Sequence, residues 1–464
     1  MWEKYTVESI RVNPESVTRR FVEILSGWSA DDALLLQQCR LLLLDGLAVA
    51  VAGADEPGPS ILAALARREC PEGPARVIGK GFSTGVVQAA RVNGAAMHVL
   101  DFEPMWNPPN HALSPLLPAL LALGESRERE GEPALGASML QAIARGVEAQ
   151  GRLRMSSGQF EPGKLTLHPP GIVGPLASAL ACAQFLGLDA DRTTAAVSMA
   201  ASRSGAVLAN VGSMTKALHC GDGAANGLEC ALLAREGFTA NEDAIGSPRG
   251  WGVAMFGQTF DPSHLTQPLE TPRALSPGPS WKLFPSQFAT HFVITAALAA
   301  REEAADADLG HHIRRVVLRT PVMPYIDRPK PVNGLDGKFS WQYTTAVALL
   351  DGHIDPDSFT DARRFAPDVA ALLERVELVN DPAIPGRLDQ MHVDVTIELD
   401  SGRVVTCRCD APLGSWTRPV PPERIRDKAR GLLAPILGAE TAALIDRTIM
   451  EEENFSVRAL MALV

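Results

Sequence analysis

Thr271-Pro-Arg-Ala-Leu-Ser-Pro-Gly-Pro-Ser280 divides the chain into two unlike parts. The stretch has the Pro/Gly/Ser composition of a linker. Upstream of it, residues 21–270 read mostly as helices in series. Ser29-Ala-Asp-Asp has the form of a helix start with acids in the first turn. The segment from Ala33 to Ala52 is apolar on nearly every face, which suits a helix at the centre of a bundle, with Gly53 as its stop. Gly223, Ala224, Ala225 and Gly227 give a later helix a surface small enough for close backbone approach. Downstream the pattern mixes helix and strand. Ile313 to Val322 and Arg375 to Val379 read as strands. Val393, Val395, Ile397 and Leu399 alternate with polar residues, Asp400-Ser-Gly-Arg turns, and Val404 to Cys409 returns, which predicts a hairpin. Helical patterns cover Gln287 to Glu303, Trp341 to Leu350 and Thr360 to Glu374. After Pro419-Val-Pro-Pro the chain is helical again.

The expected fold class is therefore mainly α. A large helical domain is built from residues 1–277 and completed by C-terminal helices over 416–464. A smaller α+β domain, residues 278–415, is inserted between them, a lid by the family resemblance given below.

With 464 residues, 46% hydrophobic and 21% charged, the chain has material for two to three domains at ~150 residues each. The formal net charge is −11 and no basic run occurs, so counterion release gives no affinity for nucleic acid. An anionic substrate would need cations placed locally. Seven scattered cysteines fit free thiols in a reducing compartment, and Cys407-x-Cys409 reads as alternate positions on a strand, not as a zinc site. The longest apolar run, Leu41 to Gly53, is interrupted by Asp45 and Gly46, and no bilayer-spanning segment is expected. The N-terminal stretch MWEKYTVESIRVNPESVTRRF is mixed in charge without the apolar core of a signal peptide. A cytoplasmic protein with no membrane partner is the expectation.

Nucleotide-binding glycine motifs and metal-ligand spacings are absent. Polar residues instead interrupt small-residue segments at four places. The first is Met97-His98-Val-Leu-Asp101-Phe-Glu103, followed by a Pro/Asn-rich turn to His111. Asp101 and His111 would stand on its two rims. In Leu167-His168-Pro-Pro-Gly171, His168 precedes a helix N-terminus, where the dipole disfavours an imidazolium and keeps a base available. In Gly212-Ser-Met-Thr-Lys216-Ala-Leu-His219, Lys216 and His219 share a helix face. Trp281-Lys282-Leu-Phe-Pro-Ser-Gln287 opens the insertion, so Lys282 could swing over a cleft, with Tyr343 closing it from above. His98, His264, His311, His312, His353 and His392 read as ordinary surface or core histidines.

These motifs, in this order, resemble the MmgE/PrpD family. The residues that carry the resemblance are Val99-Leu-Asp101-Phe-Glu103 with His111, His168-Pro-Pro-Gly, Gly212-x-Met-x-Lys216-x-x-His219-x-Gly, Lys282-x-Phe-Pro and Trp341-Gln-Tyr343. The resemblance implies a homodimer with its site between helical domain and lid, and no metal or organic cofactor. Asp101, His111, His168, Lys216, Lys282 and Tyr343 would be catalytic, and Lys216, Lys282, Gln287 and His219 would bind a small carboxylate. Five features depart from the family pattern. Glu103-Pro104 replaces an acidic pair, Met105 and Gln287 stand where the decarboxylase pattern has a threonine and a histidine, Asn107 also replaces a histidine, and the extended loop with a Trp-Gly-His-Pro element typical of the methylcitrate dehydratases is missing. The implied activity is a lyase (dehydratase, hydratase or decarboxylase) on a small di- or tricarboxylic acid, working by proton abstraction next to a carboxylate. An epimerase or isomerase of a small dicarboxylate would use the same residues, and a catalytically silent carboxylate sensor is a third possibility. Either His111 or His168 could take the proton.

Overall fold

The computed structural model describes residues 16–305 and 309–464. Most of the N-terminal stretch read above for a signal peptide lies outside them. Helix dominates. Helices α1 (Val17–Ser26), α2 (Ala33–Gly53), α3 (Pro57–Glu69), α4 (Val86–Val99), α5 (Leu117–Arg129), α6 (Gly136–Ser156), α7 (Pro169–Phe185), α8 (Ala190–Ala201) and α9 (Thr215–Arg235) follow one another along the first part of the chain. A two-stranded hairpin, β1 (Ala75–Val77) with β2 (Phe82–Thr84), is set among them.

Helix α2 begins at Asp32, whose carboxylate accepts from the Leu34 and Leu35 amides, three residues later than Ser29. It runs unbroken through Asp45 and Gly46 to a full 21 residues. By length and composition alone it could cross a membrane, yet 72% of its most apolar window is buried inside the protein. The continuous helix over Ala33 to Ala52 is as expected, and Asp45, the charge that interrupts its apolar run, lies with its carboxylate 2.9 Å from the Lys428 ammonium. The helix is surrounded by α4, α6 and the C-terminal helices Pro422–Leu437 and Ala439–Glu451. The small-residue surface of α9 does what its composition suggests. A Cβ on Gly227 would stand 2.4 Å from the Ser178 Cβ on α7, so only glycine lets those two helices meet this closely.

Two large hydrophobic cores form, with two small clusters beside them. One gathers apolar side chains between Phe21 and Trp281 and then, after a long gap in sequence, Ile425 to Met461. The other gathers Phe288 to Cys409, joined by Met105 from the first part of the chain. The second core contains a four-stranded sheet of β3 (Ile313–Thr320), β4 (Val376–Asn380), β5 (Val393–Leu399) and β6 (Val404–Cys409), in the order β4-β3-β5-β6. The hairpin β5–β6 is as expected, with Val395 opposite Cys407 and Val393 opposite Cys409. β4 joins β3 in parallel. All seven cysteines are free thiols.

Two expectations need correction. The segment from Thr360 to Glu374 is not one helix but two, Asp361–Arg364 and Pro367–Leu373, because Pro367 has no amide to continue the first. The stretch 271–280 is also no free linker. The Arg273 amide donates to Glu148, its carbonyl accepts from the Trp106 indole, and Ser280 pairs with Met105 in a short bridge.

Candidate active site

Helix α4 ends at Val99, and the chain then turns sharply. Asp101 has a φ of +51°, in the left-handed region that costs a non-glycine residue about 1–2 kcal/mol. The turn aims its carboxylate at two ammonium groups. Lys216, in the first turn of α9, donates to Oδ2 at 2.9 Å. Lys282 donates to Oδ1 and, at 2.9 Å, to the Asp101 carbonyl. Burial alone would raise the carboxyl's pKa, but the two lysines outweigh it and hold the group well below its ordinary value. Lys282 itself is brought down to about 8 by burial, against the pull of Asp101.

His98 occupies the centre of this cluster. The Lys216 ammonium stands 2.7 Å from its Nε2, and Nδ1 lies 2.6 Å from Glu103. An ammonium only donates, so Nε2 is the acceptor and the ring proton sits on Nδ1, facing Glu103. Glu103 also accepts from the Ser114 amide and hydroxyl. Burial pushes the Glu103 carboxyl up to about 8. His98 is therefore not the ordinary histidine its apolar helix suggests, but the bridge from Lys216 to Glu103.

Three further imidazoles surround this bridge. His111 stands with Nε2 3.5 Å from Asp101 and Nδ1 3.6 Å from Glu103. His168 caps α7 with Pro169 and Pro170 behind it, as its sequence predicts. Its Nδ1 faces that of His219 at 3.2 Å. Burial first, and then nearby lysines, lower the pKa of His98, His111 and His168 well below the ordinary value, and His219 moves the same way. The rings are neutral and available as proton acceptors. For His168 the cause is burial and Lys216, ahead of the helix terminus from which it was anticipated.

Asp101, His111, His168, Lys216, Gln287 and Tyr325 are among the residues that line an open cavity. Lys282 lies beneath Asp101, and His219 behind His168. Tyr343 is elsewhere. Its hydroxyl donates to the Ser358 carbonyl at 2.6 Å and its ring packs on Phe359 in the second core, so it does not reach the cavity. The tyrosine that does is Tyr325, whose hydroxyl accepts from Gln287 Nε2 at 2.7 Å. It lies in a single 3-10 turn, Pro324–Ile326, too short to show a periodicity.

Among the described residues, His98, Glu103 and His111 offer one ligand atom each, all within 4.8 Å of one another. That donor set could hold a metal ion. The Lys216 and Lys282 ammonium groups in the same site, and the hydrogen bond already joining His98 to Glu103, oppose a cation there.

Glu103 gives a prediction about stability. Its pKa is about 8 folded against 4.5 as an ordinary glutamate. The folded protein thus keeps a proton that the unfolded chain releases, and stability present below pH 4.5 is lost as pH rises through 8. Urea midpoints of the wild type should fall relative to Glu103→Gln across that window, with a constant difference above it. A wild type that gains on the variant as pH rises would contradict this assignment.

A buried carboxylate held by two ammonium groups among neutral imidazoles, on a mainly α scaffold, can bind a small anion and move protons on it. Comparison with known proteins agrees with that class. The family model described as the MmgE/PrpD N-terminal domain matches residues 19–263, and that of the MmgE/PrpD C-terminal domain matches residues 284–451. The chain is 31% identical over 449 residues to the cis-aconitate decarboxylase of Mus musculus, covering 95% of this chain and 91% of that protein. It is 33% identical over 370 residues to the cis-aconitate decarboxylase of Homo sapiens, covering 79% and 76%. Over 404 residues it is 26% identical to a 2-methylcitrate dehydratase of Cupriavidus necator, covering 82% and 80%. The chain belongs to the MmgE/PrpD family, and it is a lyase of that family.

Proposed function

We propose that this enzyme acts on a small di- or tricarboxylic acid without metal or organic cofactor. The observation that carries the reading is the position of Lys216. It is the one lysine lining the cavity among the described residues, and it stands within hydrogen-bonding distance of both Asp101 and His98. Lys216 binds a substrate carboxylate. His111, with Asp101 beside it, takes a proton from the carbon next to a carboxylate, and His168 is the second proton-transfer group. In a dehydration, that carbon's electron pair forms the double bond, the C–O bond breaks, and hydroxide leaves as water with the proton that the imidazole took from carbon. In a decarboxylation no proton is first abstracted: the C–C bond to the carboxylate breaks, carbon dioxide departs, and the electron pair left on carbon takes a proton that His111 or His168 has picked up from water. The relatives named above support both versions.

Residues 278–415 form a lid in this reading. Lys282, Gln287 and Tyr325 come from that segment, whereas Asp101, His111, His168 and Lys216 come from the helical part. Separation of the two would open the cavity, and closure would exclude water and strengthen the ion contacts.

The test is turnover of cis-aconitate, 2-methylcitrate and citrate by the purified protein with EDTA present. Turnover of one of them, unchanged by the chelator, is expected. Loss of activity on chelation would sink the metal-independent reading. The second reading, an epimerase, is favoured by Gln287 and Met105, which make the cavity less basic than the decarboxylase pattern. It predicts deuterium incorporation from solvent without loss of water or carbon dioxide.

A further inference from the structure

Three consecutive backbone carbonyls around Asp101 accept hydrogen bonds from three different lysines. The Leu100 carbonyl accepts from Lys338 at 3.2 Å, that of Asp101 from Lys282 at 2.9 Å, and that of Phe102 from Lys428 at 2.7 Å. All three side chains are buried. They arrive from separate places: Lys282 just after the 271–280 stretch, Lys338 immediately before the Trp341–Asp351 helix, and Lys428 on the C-terminal Pro422–Leu437 helix. The carbonyls lie where α4 ends, at the negative end of its dipole, so ammonium groups are the complementary donors. Lys338 also donates to the Pro285 carbonyl at 3.3 Å, and its ammonium stands 4.8 Å from the centre of the Phe359 ring. Lys428 lies 3.9 Å from the centre of the Phe102 ring and beside Asp45. Neither Lys338 nor Lys428 lines the cavity.

We propose that Lys338 and Lys428 are positioning residues that fix Asp101 in its left-handed conformation by tying the carbonyls on either side of it. The proposal rests on the reading of Asp101 as part of the acid–base machinery. Without the flanking ties, only the contacts of Asp101 itself, with Lys216, Lys282 and the His98 carbonyl, are left to hold a conformation that a non-glycine residue disfavours. The carboxylate would then leave its place between Lys216 and Lys282. Residues far from the reaction thus set its geometry, and the C-terminal helices become part of the site's support.

The test uses K338M and the pair K428M/D45N, which removes both buried charges so that no carboxylate is left stranded. Crystal structures of both should show Asp101 at negative φ and its contact with Lys216 lost. On whichever acid the wild type turns over, kcat should fall about 10²-fold, the cost of a misplacement near 1 Å, with KM changed only a few-fold. In a D101N background the same substitutions should cost nothing more. K428R, which keeps a donor, should recover most of kcat. Asp101 unmoved in both variants, or equal losses with and without D101N, would overturn the proposal. If the wild type turned over none of the acids, the functional reading would fail, and the φ of Asp101 in the variants would still decide the positioning role.

Discussion

Lys216→Met should lower kcat/KM by about 10³-fold on the acid that the wild type turns over, the scale of losing a charged donor aimed at developing charge in a dry site. Three things go at once. The substrate loses its ammonium partner in the cavity. Asp101 keeps only Lys282. The His98 ring loses the donor that fixes its tautomer. The fold should survive, because Met fills the same space and Lys282 still compensates the Asp101 carboxylate. A circular dichroism melt within a few degrees of the wild type would show this. The residual activity should also change its pH dependence. Lys216 is among the causes that lower the pKa of His98 and His168, second only to burial. Without it those rings take up a proton at higher pH. The neutral ring is the active form, so the acidic limb of the profile moves to higher pH. Lys216→Arg keeps the charge and should hold that limb in place at reduced rate. A Lys216→Met enzyme of wild-type activity would remove the basis of the proposed mechanism.

What the sequence discloses about this site follows from how local each signal is. His168 was legible because two prolines and a glycine mark the helix start that it caps. Lys216 and His219 were legible because they interrupt a run of small residues at helical spacing. His98 was not. It sits one turn from Gly94 in the apolar last turn and a half of α4, and it becomes central only because α9 brings Lys216 to it from 118 residues away. Tyr343 was misplaced for the converse reason. Its Trp-Gln-Tyr motif is helical, and Ser340 does cap that helix through the Tyr343 amide, but a motif does not say which way the side chain points. It points into the second core, and Tyr325 takes the place at the cavity. Lys338 and Lys428 carry no local mark, since each is an ordinary lysine until the Asp101 turn is folded against it. The large elements fared better. The all-round apolar run of α2 and the alternation in the β5–β6 hairpin are local patterns, which a single sequence contains.

The crossing of α4 and α9 carries the second large effect. A Cβ on Gly221 would lie 2.3 Å from the Arg91 carbonyl oxygen, and one on Gly94 would lie 2.9 Å from the Gly221 Cα. These are backbone contacts, so no rotamer change relieves them. His98 follows Gly94 by one turn, and Lys216 precedes Gly221 by less than two. The closeness of the two backbones is therefore what places the Lys216 ammonium 2.7 Å from His98. Gly221→Ala would gain up to about 1 kcal/mol of helix propensity. Against this stands an overpacking cost of about 1–3 kcal/mol, and the clash is with backbone, so the cost should win. Separation of the helices by about 1 Å should lower kcat by about 10²-fold. Gly431→Ala supplies the contrast. That glycine is exposed on the Pro422–Leu437 helix with nothing within 4 Å of the added methyl, so the same substitution should raise the melting temperature and leave kcat alone. Thermal melts and kinetics on both variants check the pair. If Gly221→Ala kept wild-type kcat, close approach of these helices would not be what assembles the site, and the His98–Lys216 contact would need another cause.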